Sequence, residues 1–387
     1  MADGEVVETG VVHLNVPPLS SVRFIVPSHT SITDDKEWFL NFEFRTRVAK
    51  NLLPKDYCVA YEQIPMNSFK QAFQEDYCVD EPLEVEEHED TLVVFSNDFK
   101  VKINKSNGSL SDMSMGAFNF LKSEVKPDFW RVSIDNDGWF KDKFWKTAHE
   151  RCTLDSIWYE KLFEGNGRNK RVRAIKVYAK VLINCNPAAK KDEPANVWFN
   201  TTYTIYPDAV IRVDNEFLPV YYHAEREYSM PRLGQLWEIN GDLKTIEWYG
   251  RGPWENYSDR KTSALVGKYR MEVKDLAYQY VRPQENGYRT DTRFFVLKSD
   301  VGYRMKVTGL PLVCFNAQYS PKENYEINGK PIRNTIDLKK EDDIFLNIDY
   351  GQMGVGGDNS WGNPVHVDYR LLMRDYRYGY VIELGKE

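Results

Sequence analysis

Residues 175–183 read Ile-Lys-Val-Tyr-Ala-Lys-Val-Leu-Ile, and this stretch decides the fold class. Apolar side chains stand at every odd position from Ile175 to Ile183, with two lysines, a tyrosine and a leucine between them. A repeat of two places alternate side chains on opposite faces of an extended chain. The stretch therefore predicts a β-strand with one face buried.

The same alternation recurs on both sides of this strand. Residues 99–103 run into Asn107-Gly108, a pair typical of hairpin turns, and residues 199–205 lead into a turn at Pro207-Asp208. Several strands with turn residues between them are typical of antiparallel sandwiches. The one stretch with some helical character is 143–152. We therefore predict an all-β fold, dominated by a large antiparallel super-sandwich.

Composition and charge exclude several classes of function. The 387 residues are 42% apolar, enough to build a substantial core, and no apolar run approaches the roughly 18 residues of a membrane span. The net charge is −7 and no basic stripe is present, which argues against a nucleic-acid partner. Five widely spaced cysteines without a CxxC pair indicate neither a zinc site nor a disulfide framework.

The acidity is concentrated in one place, which predicts a domain boundary. Nine acidic residues and no lysine or arginine lie between Glu75 and Asp90, which leaves the other 371 residues with a net charge of +2. Such a like-charge block is typical of a solvated linker, predicted here over residues 76–91. Residues 1–75 offer only three or four strand candidates, too few for a complete immunoglobulin-like sandwich. We predict a partial sandwich there and the super-sandwich over 92–387.

Four segments concentrate glycines, carboxylates, amides and aromatic residues. Clefts that bind uncharged sugars need this mixture, because carboxylates and amides bond hydroxyl groups and an aromatic face covers the C–H face of the ring. The four segments are residues 131–138, 249–260, 282–287 and 354–361. The candidates for a sugar cleft are Arg232, Glu255, Asn256, Glu285, Asn286 and Asp358.

Several of these motif residues also have a structural explanation. Residues 135–138 suit a turn closed by aspartate side chains better than a calcium loop, because Ser133 and Phe144 occupy positions where an EF-hand needs carboxylates. Glu255 and Glu285, taken singly, resemble buried hydrogen-bonded carboxylates. A tryptophan such as Trp361 is more often a core residue than a ligand contact.

Three of these segments together resemble a known family. The runs Gly250-Arg-Gly-Pro-Trp-Glu-Asn-Tyr-Ser-Asp-Arg260, Arg282-Pro-Gln-Glu-Asn-Gly287 and Met353-Gly-Val-Gly-Gly-Asp-Asn-Ser-Trp361 closely resemble the C-terminal small-chain domain of the large β-galactosidases of glycoside hydrolase family 2. The first segment resembles the opening of that domain, except that Ser133 stands where the family has proline. The resemblance covers residue 92 to the C-terminus.

The resemblance implies a galactose mutarotase-like super-sandwich that follows an immunoglobulin-like domain in a longer enzyme. In this family both catalytic glutamates, and the Mg and Na ions, belong to a (β/α)₈ barrel that precedes this region. The chain is thus expected to be a non-catalytic fragment without catalytic or metal-binding residues of its own. Trp361 is expected to contact the sugar at the barrel mouth.

The same resemblance implies a galactoside substrate such as lactose, the enzyme's own barrel as partner and a homo-oligomeric parent. No nucleic acid or membrane is expected, and the localisation, cytoplasmic or periplasmic in a bacterium, stays open. Two alternatives remain. An aldose 1-epimerase would pair His149 or His223 with Glu255 or Glu285 across a sugar ring. A free-standing carbohydrate-binding module would bind sugar without turnover.

Overall fold

The protein is described from a computed structural model that covers residues 1–69, 81–139, 143–167, 170–187, 196–220, 228–359 and 363–387. The strands, in chain order, are β1 (Phe39–Arg45), β2 (Cys58–Pro65), β3 (Glu84–Glu87), β4 (Thr91–Phe95), β5 (Phe99–Asn104), β6 (Leu110–Met115), β7 (Phe118–Asn119), β8 (Lys126–Asp128), β9 (Cys152–Glu164), β10 (Arg171–Asn184), β11 (Asn196–Tyr206), β12 (Val210–Pro219), β13 (Ser229–Met230), β14 (Arg232–Ile239), β15 (Thr245–Gly252), β16 (Leu265–Glu272), β17 (Arg289–Lys298), β18 (Tyr303–Gln318), β19 (Glu326–Ile327), β20 (Lys330–Pro331), β21 (Ile344–Gln352), β22 (Leu371–Leu372) and β23 (Tyr376–Lys386). Short 3₁₀ helices occupy Asp135–Trp139, Lys143–Glu150, Val273–Asp275, Lys322–Tyr325, Thr335–Asp337 and Val367–Tyr369.

A twelve-stranded sheet forms the body of the molecule. Its main path runs β16-β15-β17-β18-β23-β12-β11-β10-β9. A branch of three strands leaves β18, in which β21 pairs with β18, β14 pairs with β21 and β8 pairs with β14. A five-stranded sheet, β3 to β7 in chain order, packs against it. Every described strand pair is antiparallel, so the predicted all-β antiparallel class is confirmed.

The stretch 175–183 lies in β10, between β9 and β11. Ile175, Val177, Ala179 and Ile183 are buried, which confirms the predicted inward face. The main core lies between the two sheets, where such residues of the large sheet meet Val101 and other residues of the five-stranded sheet. Burial of apolar surface of this kind is the main favourable term in folding.

The Asn107-Gly108 hairpin is present, although the link between β5 and β6 has five residues rather than two. Gly108 has φ +74°, and a Cβ there would lie 2.6 Å from the Cβ of Ala179, so both backbone and space require glycine. The helical stretch expected around 143–152 is the 3₁₀ helix Lys143–Glu150.

The acidic linker predicted over 76–91 is wrong at its C-terminal end. Residues 84–87 form β3, which pairs with β4 at the edge of the five-stranded sheet. The charged block tolerates a strand because β3 is an edge strand whose three glutamates are exposed, while Val85 packs against the core. The expected boundary between residues 1–75 and the super-sandwich stays a prediction, as does the partial immunoglobulin-like fold.

The N-terminal segment, residues 1–69, contacts the large sheet through a buried ion pair. Arg293 of β17 donates to Glu37 through Nε at 2.9 Å, and the hydroxyl of Tyr249 donates to the same carboxylate at 2.6 Å. Phe39 packs beside Tyr249 and Val266. Much of the remaining apolar surface of this segment is exposed, as at Val11, Ile25 and Leu52.

Candidate functional site

All four motif segments meet at one end of the large sheet. The first follows the end of β8 and the fourth follows the end of β21, and both strands pair with the start of β14. The second segment begins in β15 and continues beyond its end at Gly252. The end of β15 pairs with the first half of β17, and β17 begins just after the third segment. The antiparallel register therefore gathers segments that are far apart in the sequence.

Together the segments line a cleft of about 380 Å³. The first contributes residues 134–136, the second Tyr257 and Arg260, the third Gln284 and Glu285, and the fourth residues 355–357 and Asn359. Tyr280 completes the lining. The lining combines the carboxylates, amides and aromatic rings expected of a sugar cleft with one guanidinium, that of Arg260.

Arg232 lies behind the cleft and is paired with the lining residue Glu285. It is buried, and its guanidinium lies 3.2 Å from Asp128, 3.1 Å from Asp349 and 3.4 Å from Glu285. Burial opposes ionisation of Asp128, but the charges of Lys322 and Arg232 outweigh it and lower the pKa of Asp128 to about 2. Burial raises the pKa of Asp349 to about 8, with help from the negative charges of Asp128 and Glu285 and against the opposing charge of Arg232.

The Glu285 carboxylate is buried and held from several sides. It accepts hydrogen bonds from the side-chain amides of Gln352 and Asn316, at 3.0 and 3.4 Å, and from the backbone N–H of Val132 at 3.2 Å. These contacts connect the first and third segments with strands β18 and β21. Glu285 therefore holds these parts of the cleft together through hydrogen bonds, as expected of a buried structural carboxylate.

Glu255 plays a similar part at the rim. Its carboxylate accepts from the backbone N–H of Gly287 at 2.7 Å, from Arg260 at 2.5 Å and from the hydroxyl of Tyr280. The second and third segments are thereby joined. Arg260 and Tyr280, which line the cleft, owe their position to this carboxylate.

Asn256 and Asn286 are buried and bonded to the protein. The Asn256 side-chain oxygen accepts from the N–H and hydroxyl of Thr290, at 2.9 and 2.7 Å. The Asn286 side chain accepts from the N–H of Tyr278 at 3.1 Å and donates to the hydroxyl of Tyr325 at 3.2 Å. Both asparagines hold the loops behind the cleft through these hydrogen bonds. Contact between the predicted residues and a sugar stays a prediction.

The glycine-rich fourth segment is anchored at two points. Arg131 donates to the carbonyl oxygens of Met353 and Gly354, at 2.7 and 3.1 Å. Asp259 accepts from the backbone N–H groups of Val355 and Gly356, at 3.0 and 2.7 Å. A Cβ at position 354 would lie 2.5 Å from the Asp259 carboxylate, so glycine is required for this close approach.

Asp358 lies on the exposed side of the same segment. Its carboxylate is 2.7 Å from Nε2 of His366, and both side chains are largely exposed. Their pairing raises the pKa of His366 through the hydrogen bond to Asp358. Trp361 lies outside the described residues, as does His223.

His149, the other histidine of the epimerase alternative, lines a second cavity of about 110 Å³ with Asp128 and Lys322. Glu255 and Glu285 are not among the residues that line that cavity. Within the described residues, no cluster of histidine, cysteine and carboxylate groups could hold a metal ion. No helix in the described ranges is long and apolar enough to cross a membrane.

Sequence reasoning missed several residues that build the site. Arg131, Tyr257 and Asp259 lay inside the quoted segments, so their motif positions could have nominated them. Asp128 and Asp349 carried no such signal, because each reaches Arg232 through strand register across more than 100 residues of sequence.

The fold and the cleft define a class: an antiparallel β-sandwich domain whose loops build a polar cleft at one end of the larger sheet. The family model for the beta galactosidase small chain matches residues 95–382, and that for beta-galactosidase domain 4 matches residues 1–67. The chain therefore belongs to the beta galactosidase small chain family.

Curated relatives agree with that assignment. The chain is 30% identical to a beta-galactosidase of Priestia megaterium over 95% of its length, and 26% identical to one of Pseudoalteromonas haloplanktis over 99%. It spans 34% and 36% of those proteins, about a third of their length. A galactose mutarotase-like protein from Clostridium acetobutylicum is a structural neighbour, with TM-score 0.40, 8% identity and coverage of 80% of this chain and 99% of that one.

Proposed function

We propose that the chain is the C-terminal, non-catalytic part of a glycoside hydrolase family 2 β-galactosidase that hydrolyses terminal β-D-galactosides such as lactose. Its role is to complete the sugar site at the barrel mouth and to stabilise the enzyme. The observation that carries the proposal is the family match over residues 95–382, in a chain that spans about a third of its relatives.

The anchoring of the fourth segment supports a role in presenting Trp361. Arg131 and Asp259 hold residues 353–356 at four backbone atoms, so the chain that leads into Trp361 starts from a fixed position. Pre-ordered binding groups lose less conformational entropy when a ligand arrives. An indole placed in this way can cover the C–H face of a galactoside.

The partners proposed for this chain follow from the same role. Its first partner is the enzyme's own catalytic barrel, which supplies both catalytic glutamates and binds the Mg and Na ions. Its second is the galactoside, and the parent enzyme is a homo-oligomer. Sugar pockets commonly form where domains meet, which suits a site shared between this chain and a barrel.

Replacement of Trp361 in the longer enzyme tests the proposal. By analogy with aromatic stacking on planar ligands, loss of this contact should cost about 1–3 kcal/mol, so Trp361→Ala should lower kcat/KM for a nitrophenyl β-galactoside about 5- to 150-fold, with the melting temperature nearly unchanged. The control is Trp158→Ala, which removes a half-exposed indole of β9 far along the sheet from the cleft. A lowered melting temperature with unchanged kinetics would assign Trp361 to the core instead.

A further inference from the structure

Several edges of the two main sheets are protected against pairing with another chain. At one end of the large sheet, the side-chain amide of Gln63 covers β16. It donates to the carbonyl oxygen of Val266 at 2.9 Å and accepts from the N–H of the same residue at 2.8 Å. The five-stranded sheet ends in β3, which has three exposed glutamates, and in β7, which has only two residues. Covering, charge and shortness are the usual protections of a strand edge.

Strand β9, at the other end of the large sheet, is left open. It is 13 residues long and pairs on one side with β10, while its other side pairs with no strand of the described residues. On this strand the side chains of Trp158 and Phe163 are 41% and 50% exposed. A long exposed edge that carries apolar side chains is a template for pairing with a further strand.

Opposite charges stand at equal distances on either side of Trp158 in this strand. Asp155 lies three residues before Trp158 and Lys161 three residues after it, and both are exposed. When two copies of β9 lie antiparallel with a two-fold axis at Trp158, each Asp155 faces the partner's Lys161. The same register places each Ile157 opposite the partner's Tyr159. Opposite-charge pairs and aromatic–β-branched pairs both stabilise antiparallel strands.

A bulge in β9 sets the length of this pairing. The strand keeps continuous register with β10 from Ser156 to Leu162, and the register shifts at Asp155, where β9 has one extra residue. Such a bulge disrupts the ladder locally and bends the strand. Because the axis is two-fold, residues beyond Lys161 would face those before Asp155, so the bulge limits the pairing at both ends. The paired segment therefore runs from Asp155 to Lys161, with an ion pair at each end.

We propose that β9 is the contact strand of a symmetric dimer, in which two copies of this chain pair antiparallel about Trp158. A two-fold interface uses the same surface of both copies, so that surface must be complementary to itself. The segment from Asp155 to Lys161 meets this condition, whereas a barrel domain or an unrelated peptide would not require it. The inference names a surface for the homo-oligomer and rests on that part of the proposed function, while the choice of β9 rests on its open edge and its charges.

Sedimentation velocity over a range of protein concentrations measures the dimer of the 387-residue chain. Asp155→Lys and Lys161→Asp each turn two attractive pairs into two like-charge pairs, so each should raise the Kd of the dimer about 5- to 50-fold. The double variant Asp155→Lys/Lys161→Asp has opposite charges again and should dimerise like wild type. Lys330→Asp, at an exposed position of β20, is the control for the change in net charge.

An equimolar mixture of the two single variants tests the register itself. In a mixed dimer a lysine faces an aspartate at both ends, so the mixture should dimerise like wild type although each variant alone dimerises weakly. A wild-type chain that stays monomeric at every concentration overturns the proposal, and so does a mixture that fails to recover. Single variants that dimerise like wild type overturn it as well, because association through the exposed apolar surface of residues 1–69 would not respond to these charges. None of these results involves activity, so this inference can fail while the Trp361 kinetics still support the proposed function.

Discussion

The environment of Asp349 disfavours the ionised form of its carboxyl group. It is buried across from Gly234, where a Cβ would come within 1.8 Å of its oxygen. Asp128 and Glu285 lie near the same guanidinium of Arg232. Three carboxylates thus share Arg232. Of the three, Asp128 is also bonded to Lys322. Asp349 is the carboxylate whose two oxygens accept no hydrogen bond within the described residues.

This arrangement predicts a pH dependence of stability. The pKa of Asp349 is about 8 in the folded chain against an ordinary 3.8, so between about pH 4 and 8 the folded state holds a proton that the unfolded state has lost. The free energy of unfolding should therefore fall as the pH rises through that window, by at most about 1.4 kcal/mol per unit. Asp349→Asn cannot titrate and should lack this slope.

Urea denaturation of wild type and Asp349→Asn at pH 5, 6, 7 and 8 measures the effect. The stability of the variant relative to wild type should rise steadily with pH. The control is Asp242→Asn, which removes one exposed carboxylate and its charge. A constant difference between Asp349→Asn and wild type across this range would show that Asp349 is ionised throughout.

At the scale of elements, the N-terminal segment is attached more firmly than its composition suggests. The sequence predicts a partial domain here, and the hairpin of β1 and β2 exposes much apolar surface. Glu37 nevertheless lies buried against Arg293 of β17. The Phe69 ring, 5.0 Å from the Arg293 guanidinium, covers the pair.

Glu37→Ala should detach this segment, because it leaves Arg293 buried without its partner. Breaking a buried pair in this way typically costs about 3–5 kcal/mol. Hydrogen exchange should then show lost protection in β1 while β10 stays protected. Glu43→Ala, which removes an exposed ion pair on the same hairpin, should leave both strands protected. Equal protection of β1 in the two variants would mean that the ion pair does not hold the segment.

At the scale of the whole molecule, the sequence predicted what depends on local pattern. The alternation of 175–183 placed β10 correctly, and Asn107-Gly108 placed a hairpin, because both signals lie within a few residues. The acidic composition of residues 84–87 indicated a linker, whereas these residues form a strand, because a charged strand is tolerated at a sheet edge. The four motif segments indicated a shared site, but the contacts of Arg232 with Asp128 and Asp349 depend on strand register, which no local pattern specifies.

Taken alone, the chain should not hydrolyse a nitrophenyl β-galactoside. Retaining glycosidases need two reactive carboxylates about 5–5.5 Å apart. The carboxylates that line the described cleft, Asp135 and Glu285, are each held by an arginine, and Asp349 is too buried to reach a substrate. Release of nitrophenol should stay at the buffer rate, while the longer enzyme serves as the positive control. Turnover that follows the protein peak through successive columns would place a catalytic pair within these 387 residues.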